Sequence, residues 1–236
     1  MELHLEKKPK NPVIIQGFPG FGLVGTITTE FLIQQLKAEL IGNIKCDDIP
    51  AMIAIHDSKI LQPVGIYYDK KTNIVIVHIV TTVQGIEWRL ADVITKLAEE
   101  LDAKSIISLE GVASPNEEGP MNCFYYSSIA DHRKIFENNQ VNPLKEGIIL
   151  GVTGALLLDA HKTPLTCVFA ETHSAMPDSK ASARVIELID KLLGLNIKTE
   201  PLLKEAEKFE EKLKGIMQQS KNTSDMQMKK RLSYVG

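Results

Sequence analysis

The chain has 236 residues, 44% hydrophobic and 24% charged, with a formal net charge of −3. That length suits one large α/β domain or two small ones, and the composition excludes a fibrous or wholly disordered chain. Lys plus Arg (27) nearly balance Asp plus Glu (30), which argues against a whole-domain binder of nucleic acid or anionic membrane.

The opening MELHLEKKPKNP is polar and lacks a signal-peptide core. After Pro9 and Pro12, residues 13–16 (VIIQ) read as a buried strand. A glycine-rich turn follows, then a helix pattern to about Leu40, with Leu32, Leu36 and Leu40 one turn apart. Strands are predicted over 52–55, 64–68, 74–80, 105–109, 124–127 and 165–170. The polar loop after Tyr68 predicts an antiparallel hairpin from 64–68 and 74–80, so the sheet is mixed. Between 87 and 101 an amphipathic helix carries Leu90, Val93, Ile94, Leu97 and Leu101 on one face. The most apolar run, 147–158 (GIILGVTGALLL), falls short of the roughly 20 residues that span a bilayer. Short apolar runs alternating with helical patterns predict a layered α/β fold.

After Pro177 a helix is predicted over 178–194, capped by Asp178 or Ser179 and stopped by Gly194. A charged helix over 200–218 follows. Its stripe Leu202, Ala206, Phe209, Leu213 and Ile216 needs a partner surface in this chain or another. Residues 1–219 thus read as a single α/β domain and 220–236 as a flexible polar tail.

Several motifs carry possible chemistry. Gly20-x-Gly22-x-x-Gly25, after a strand and before a helix, matches the dinucleotide fingerprint, and Asp47 and Asp48 lie where a ribose-binding acid is expected. Against that, the first glycine comes four residues after Gln16, Pro19 lacks an N–H, and Phe18 and Phe21 crowd the loop. A tight turn that lets the helix pack close to the sheet is the favoured reading of Gly17, Gly20, Gly22 and Gly25. An outward Phe18 and Phe21 would make a partner surface. Glu110, Glu171 and His173 stand at strand ends, where catalytic groups often sit. A structural or partner-contact role is favoured for each. The six histidines show no HExxH and no i, i+4 pair, no GxSxG occurs, and Cys46, Cys123 and Cys167 lack a CxxC. No catalytic, cofactor or metal site is therefore assigned, and a reducing, cytoplasmic setting is expected. Lys229-Lys230-Arg231 reads as solvated charge. Leu232, Tyr234 and Val235, apolar residues ending a polar tail, suggest a docking peptide.

Residues 14–25 (IIQGFPGFGLVG) are similar to the opening motif of the proteasome assembly chaperone 2 family, in its archaeal branch. Leu109-Glu110-Gly111-Val112 and the segment 177–195, followed by the charged helix from Leu202, agree in order and spacing. The resemblance spans residues 11–215. It implies a three-layer α/β/α fold of the purine nucleoside phosphorylase type and a non-enzymatic, homo-oligomeric scaffold. The implied partner is the proteasome α-subunit or α-ring. Some members of the family carry a hydrophobic–Tyr–X tail that enters pockets between α-subunits; here Tyr234 is third from the end and follows Ser233. The alternative reading is a nucleoside- or nucleotide-binding enzyme of phosphorylase or hydrolase type.

Overall fold

A computed structural model gives the structure of the chain and describes residues 1–48, 54–56, 59–113, 122–159, 163–172, 176–201 and 203–204. In chain order the elements are β1 (Glu2–Leu5), β2 (Val13–Gly17), α1 (Val24–Leu36), β3 (Glu39–Lys45), β4 (Ala54–His56), β5 (Lys59–Leu61), β6 (Val64–Asp69) and β7 (Ile74–Ile79). There follow α2 (Glu87–Glu100), β8 (Ser105–Ala113), β9 (Cys123–Ser127), α3 (Ala130–Asn138), β10 (Asn142–Pro143), α4 (Gly151–Leu158), β11 (Leu165–Thr172) and α5 (Ser179–Leu193).

Nine strands form one mixed sheet in the order β1-β3-β6-β7-β2-β8-β11-β9-β10, while β4 and β5 pair separately. The centre, β7-β2-β8-β11, is parallel. The flank β1-β3-β6-β7 is antiparallel, and β6 and β7 form the hairpin predicted from the sequence. Because side chains alternate across a strand, β2 sends Ile14 to one face and Ile15 to the other. Ile14 joins the core under α2 and α4, with Val77, Ile106, Leu90, Ile94 and Val152. Ile15 joins the core under α1 and α5, with Leu32, Ile107, Val185 and Ile189. The result is a three-layer α/β/α arrangement with helices on both faces.

Local signals account for most boundaries. Asp178 accepts a hydrogen bond from the Ala181 N–H and caps α5, and Gly194 ends it in the left-handed conformation at φ 65°. The helix expected to reach Leu40 stops at Leu36. Lys37 turns left-handed (φ 54°), and Leu40 lies in β3. Leucines one helical turn apart had masked the strand that follows, where Ile41 and Ile44 both face the core across a register shift between Leu40 and Gly42. The polar N-terminus supplies β1, an edge strand that lays Leu3 and Leu5 against the α2 side of the sheet. The strands β8 and β11 run on through Ala113 and Thr172, so Glu110 and Glu171 lie inside strands, near their ends. The helix expected from 200 begins there, with 200, 201, 203 and 204 helical. All of its stripe, from Leu202 to Ile216, lies outside the described residues, as does the tail 220–236. No helix among the described residues is long and apolar enough to cross a membrane.

Candidate functional site

The parallel strands β2, β7, β8 and β11 all end at one edge of the sheet, where open α/β folds hold their ligands. The chain leaves β2 there through the glycine loop. A single turn of 3-10 helix (Phe21–Leu23) leads into α1, and two successive residues, Gly22 (φ 61°) and Leu23 (φ 48°), are left-handed. Gly22 adopts this freely; a leucine there stores strain of order 1 kcal/mol.

The loop is a packed joint. A Cβ on Gly17 would overlap the Gly25 carbonyl and come within 2.7 Å of its Cα. One on Gly25 would stand 2.6 Å from the Leu109 carbonyl oxygen and 2.9 Å from Gly17 Cα. One on Gly111 would overlap the Phe21 carbonyl, and one on Gly22 would stand 2.8 Å from Thr172 Oγ1. The Asp178 N–H donates to the Gly22 carbonyl at 2.8 Å, which ties the loop to the start of α5. Strand ends and helix starts therefore fill the space that a pyrophosphate cradle leaves open. Asp48 sits at the end of β3, three strands from β2, or roughly 14 Å at normal strand spacing. It pairs there with Arg89 at 2.7 Å.

The two phenylalanines part company. Phe18 is buried in the core beneath α2, whereas Phe21 is half-exposed at the rim.

Behind the loop lies a buried polar line that the sequence alone does not disclose. Gln16 and Ser108 are register partners on β2 and β8, and Thr153 comes down from the first turn of α4. The Gln16 Nε2 donates to Ser108 Oγ. Ser108 Oγ and Thr153 Oγ1 lie 2.7 Å apart, and Thr153 donates to Glu110 Oε1 at 2.6 Å. With Glu110 ionised, Thr153's one hydroxyl proton is committed, so Ser108 donates to Thr153 and accepts from Gln16. Gln16, Ser108 and Thr153 are fully buried, and the Gln16 Oε1 has no partner among the described residues. Burial pushes the Glu110 carboxyl up to about 7, and the Thr153 bond opposes the rise. Its other oxygen faces Gly20, where an added Cβ would lie 3.1 Å away.

Glu171, on the same face of the neighbouring strand, is buried. It accepts from the Asn122 N–H at 3.1 Å and the Asn122 Nδ2 at 2.8 Å. His173, Leu232, Tyr234 and Val235 lie outside the described residues. His78, which has no sequence motif, ties β7 to α1: its Nδ1 lies 2.9 Å from Thr29 Oγ1 and its Nε2 3.0 Å from Glu30 Oε2. Among the described residues no group of three or more His, Cys, Asp or Glu side chains is placed to hold a metal ion. Burial raises the thiols, Cys123 to about 11 and Cys167 further, against nucleophilic use at neutral pH. A polar cavity of about 340 Å³ between α5 and the α3–β10 turn includes Cys123, Arg184 and Lys191 and stands apart from the glycine loop.

Comparison with known proteins places this geometry. The family model described as the PAC2 family matches residues 14–217. An uncharacterized protein of Methanocaldococcus jannaschii is 30% identical over 214 residues, covering 89% of this chain and 87% of that one. Pyrococcus furiosus PbaA, described as an archaeal homolog of proteasome-assembly chaperone, is 31% identical. Its structure matches with a TM-score of 0.82 over 97% of this chain and 96% of its own. Pyrococcus furiosus PbaB, described as an archaeal proteasome activator, shares the fold at 23% identity, TM-score 0.75, over 92% of this chain and 98% of its own.

Proposed function

The chain belongs to the PAC2 family, and from that we propose that it is a non-enzymatic proteasome-assembly chaperone or adaptor. In this reading it is a cytoplasmic homo-oligomer that binds proteasome α-subunits. The observation that carries it is Phe21. A glycine joint closed by its own backbone leaves no open cradle and holds one aromatic side chain half out of the surface on a rigid support. Rigid, exposed aromatics are what protein partners read, because little ordering entropy is lost on binding. The kind of partner comes from the relative that is 31% identical along 97% of the chain.

The tail is proposed as a second contact, with Leu232, Tyr234 and Val235 as its anchors. Treated as an unstructured tether, residues 220–231 reach roughly 20 Å, so several tails on one oligomer bind with avidity. Light-scattering mass of the chain, alone and with α-subunits from the same organism, tests the reading. A multiple of 26.2 kDa that moves to a larger complex supports it. A mass unmoved by α-subunits overturns it.

One observation favours the enzyme alternative: Glu110, a carboxyl near the end of a parallel strand that titrates near neutrality. A nucleoside or nucleotide at about 100 times its dissociation constant would then add roughly 2.7 kcal/mol of stability. An unmoved Tm across such a panel removes that reading.

A further inference from the structure

Residues 147–158 carry no charged side chain, and α4 uses only part of its apolar surface inside the molecule. Val152, Ala155 and Leu156 are buried against α2 and the sheet, with Ile149 and Leu157 packed beside them. Ile148, Leu150 and Leu158 face outward, 88%, 77% and 69% exposed. A helix that is apolar all round is normally buried all round.

Trp88 extends this surface. On α2, Trp88, Ala91, Thr95 and Ala98 share one flank at helical spacing. The opposite flank carries Arg89 and Glu100, which pair with Asp48 and Lys8 on the β3 and β1 side. The Trp88 flank is therefore the one turned toward α4, against which α2 packs. Both helices lead into parallel strands of the sheet, so their first turns lie at the same end. Trp88 stands there, 64% exposed, at the end where Ile148 and Leu150 lead into α4.

We infer that the face made by Trp88, Ile148, Leu150 and Leu158 is where a second copy of this chain docks. The inference rests on the homo-oligomeric reading above and locates its contact. An uncharged face meets its own copy without like-charge repulsion, whereas a charged one would not. The four side chains leave on the order of 500 Å² of apolar surface open, near the upper end for the largest patch on a monomer. A standard interface buries roughly 800 Å² per partner, about 65% of it apolar in homodimers, so the supply matches the need. After α5 the described chain stays on the far side of the sheet from α4: Ile197 packs on Phe31, Ala183 and Ile186 in the α1–α5 layer.

Trp88 is the only tryptophan, so its emission reports on this face without a label. The experiment follows emission and light-scattering mass over a concentration series for the wild type and for Ile148→Asp/Leu150→Asp. Leu150 is the N-cap of α4 and makes no side-chain cap bond; aspartate is a favoured N-cap, so the variant keeps its helix. Leu158→Lys, with a cation suited to a helix C-terminus, attacks the other end of the face. The expected wild type is a multiple of 26.2 kDa whose emission moves to the blue as it associates. The expected variants run as monomers, with red-shifted emission and wild-type circular dichroism. A wild type that stays monomeric at high concentration, or variants that keep the wild-type mass, overturns the inference. Binding of α-subunits is measured alongside. Binding by a wild type whose variants stay oligomeric sinks this contact and leaves the chaperone reading standing. Dissociating variants of a wild type that ignores α-subunits do the reverse.

Discussion

Gly17 and Gly25 stand back to back at the exit of β2, each occupying the space that a side chain on the other would need. The first strand and first helix meet through this contact with nothing between them, and Leu109 of β8 closes on it from the third side. Gly17→Ala is expected to cost about 3 kcal/mol or more, because the atoms in the way are backbone and cannot swing aside. Gly20→Ala meets only the far end of Glu110 at 3.1 Å and should cost under about 1 kcal/mol. Urea denaturation of the two variants checks the contrast, and equal losses would refute the packed-joint account.

Phe18 and Phe21 are expected to separate stability from binding. Phe18→Ala opens a cavity in the core and should cost about 3–5 kcal/mol. Phe21→Ala should change stability by no more than about 0.5 kcal/mol. As a contact residue it should weaken α-subunit binding about tenfold, the size of a modest hot spot. Calorimetric titration with α-subunits decides, and undiminished affinity in Phe21→Ala removes the rim from the binding surface.

Glu110 should make the fold weaker as pH rises. Its carboxyl binds a proton up to about pH 7 when folded, against about 4.5 for an ordinary glutamate. Between those values the folded state holds more protons than the unfolded one, so stability falls as pH increases through the window. The contribution is fully present below about pH 4.5 and lost above about pH 7. Glu110→Gln, which keeps an acceptor for Thr153, should be more stable than the wild type at pH 8 by on the order of 2 kcal/mol. The two proteins should converge near pH 4. A wild-type-minus-variant difference flat with pH would mean that Glu110 titrates alike in the folded and unfolded chains.

Deleting residues 232–236 should leave Tm unchanged and weaken binding to α-subunits. Because the tails act together, the loss should be larger for an assembled α-ring than for a single α-subunit. Equal affinities before and after the deletion would show that Leu232, Tyr234 and Val235 do not dock.

Wherever one signal ruled, the sequence was readable. The apolar run of VIIQ, the hydrophobic run of β7, the one-sided stripe of α2 and the Asp178–Gly194 brackets of α5 all appear at their places. Misreadings came where two signals overlapped: Leu32, Leu36 and Leu40 keep helical spacing across a left-handed Lys37 that ends the helix. The glycine motif was legible as a strand-to-helix turn, but no local pattern distinguished Phe18, buried in the core, from Phe21, half-exposed at the rim. The polar line from Gln16 to Glu110 was out of reach of any local pattern. Its members lie 92, 45 and 43 residues apart and meet only through sheet register and the placement of α4.

The central place of β2 has a consequence for how the chain is made. Val13–Gly17 leaves the ribosome well before its neighbours β7 and β8, which begin at Ile74 and Ser105. At about 5–20 residues per second, the strand Val-Ile-Ile-Gln-Gly waits several seconds for its second partner. Until its partners arrive, this apolar strand keeps open edges of unpaired N–H and C=O groups, a template for pairing with other nascent chains. If it is a chaperone, it passes through a stage in its own synthesis when it would benefit from one.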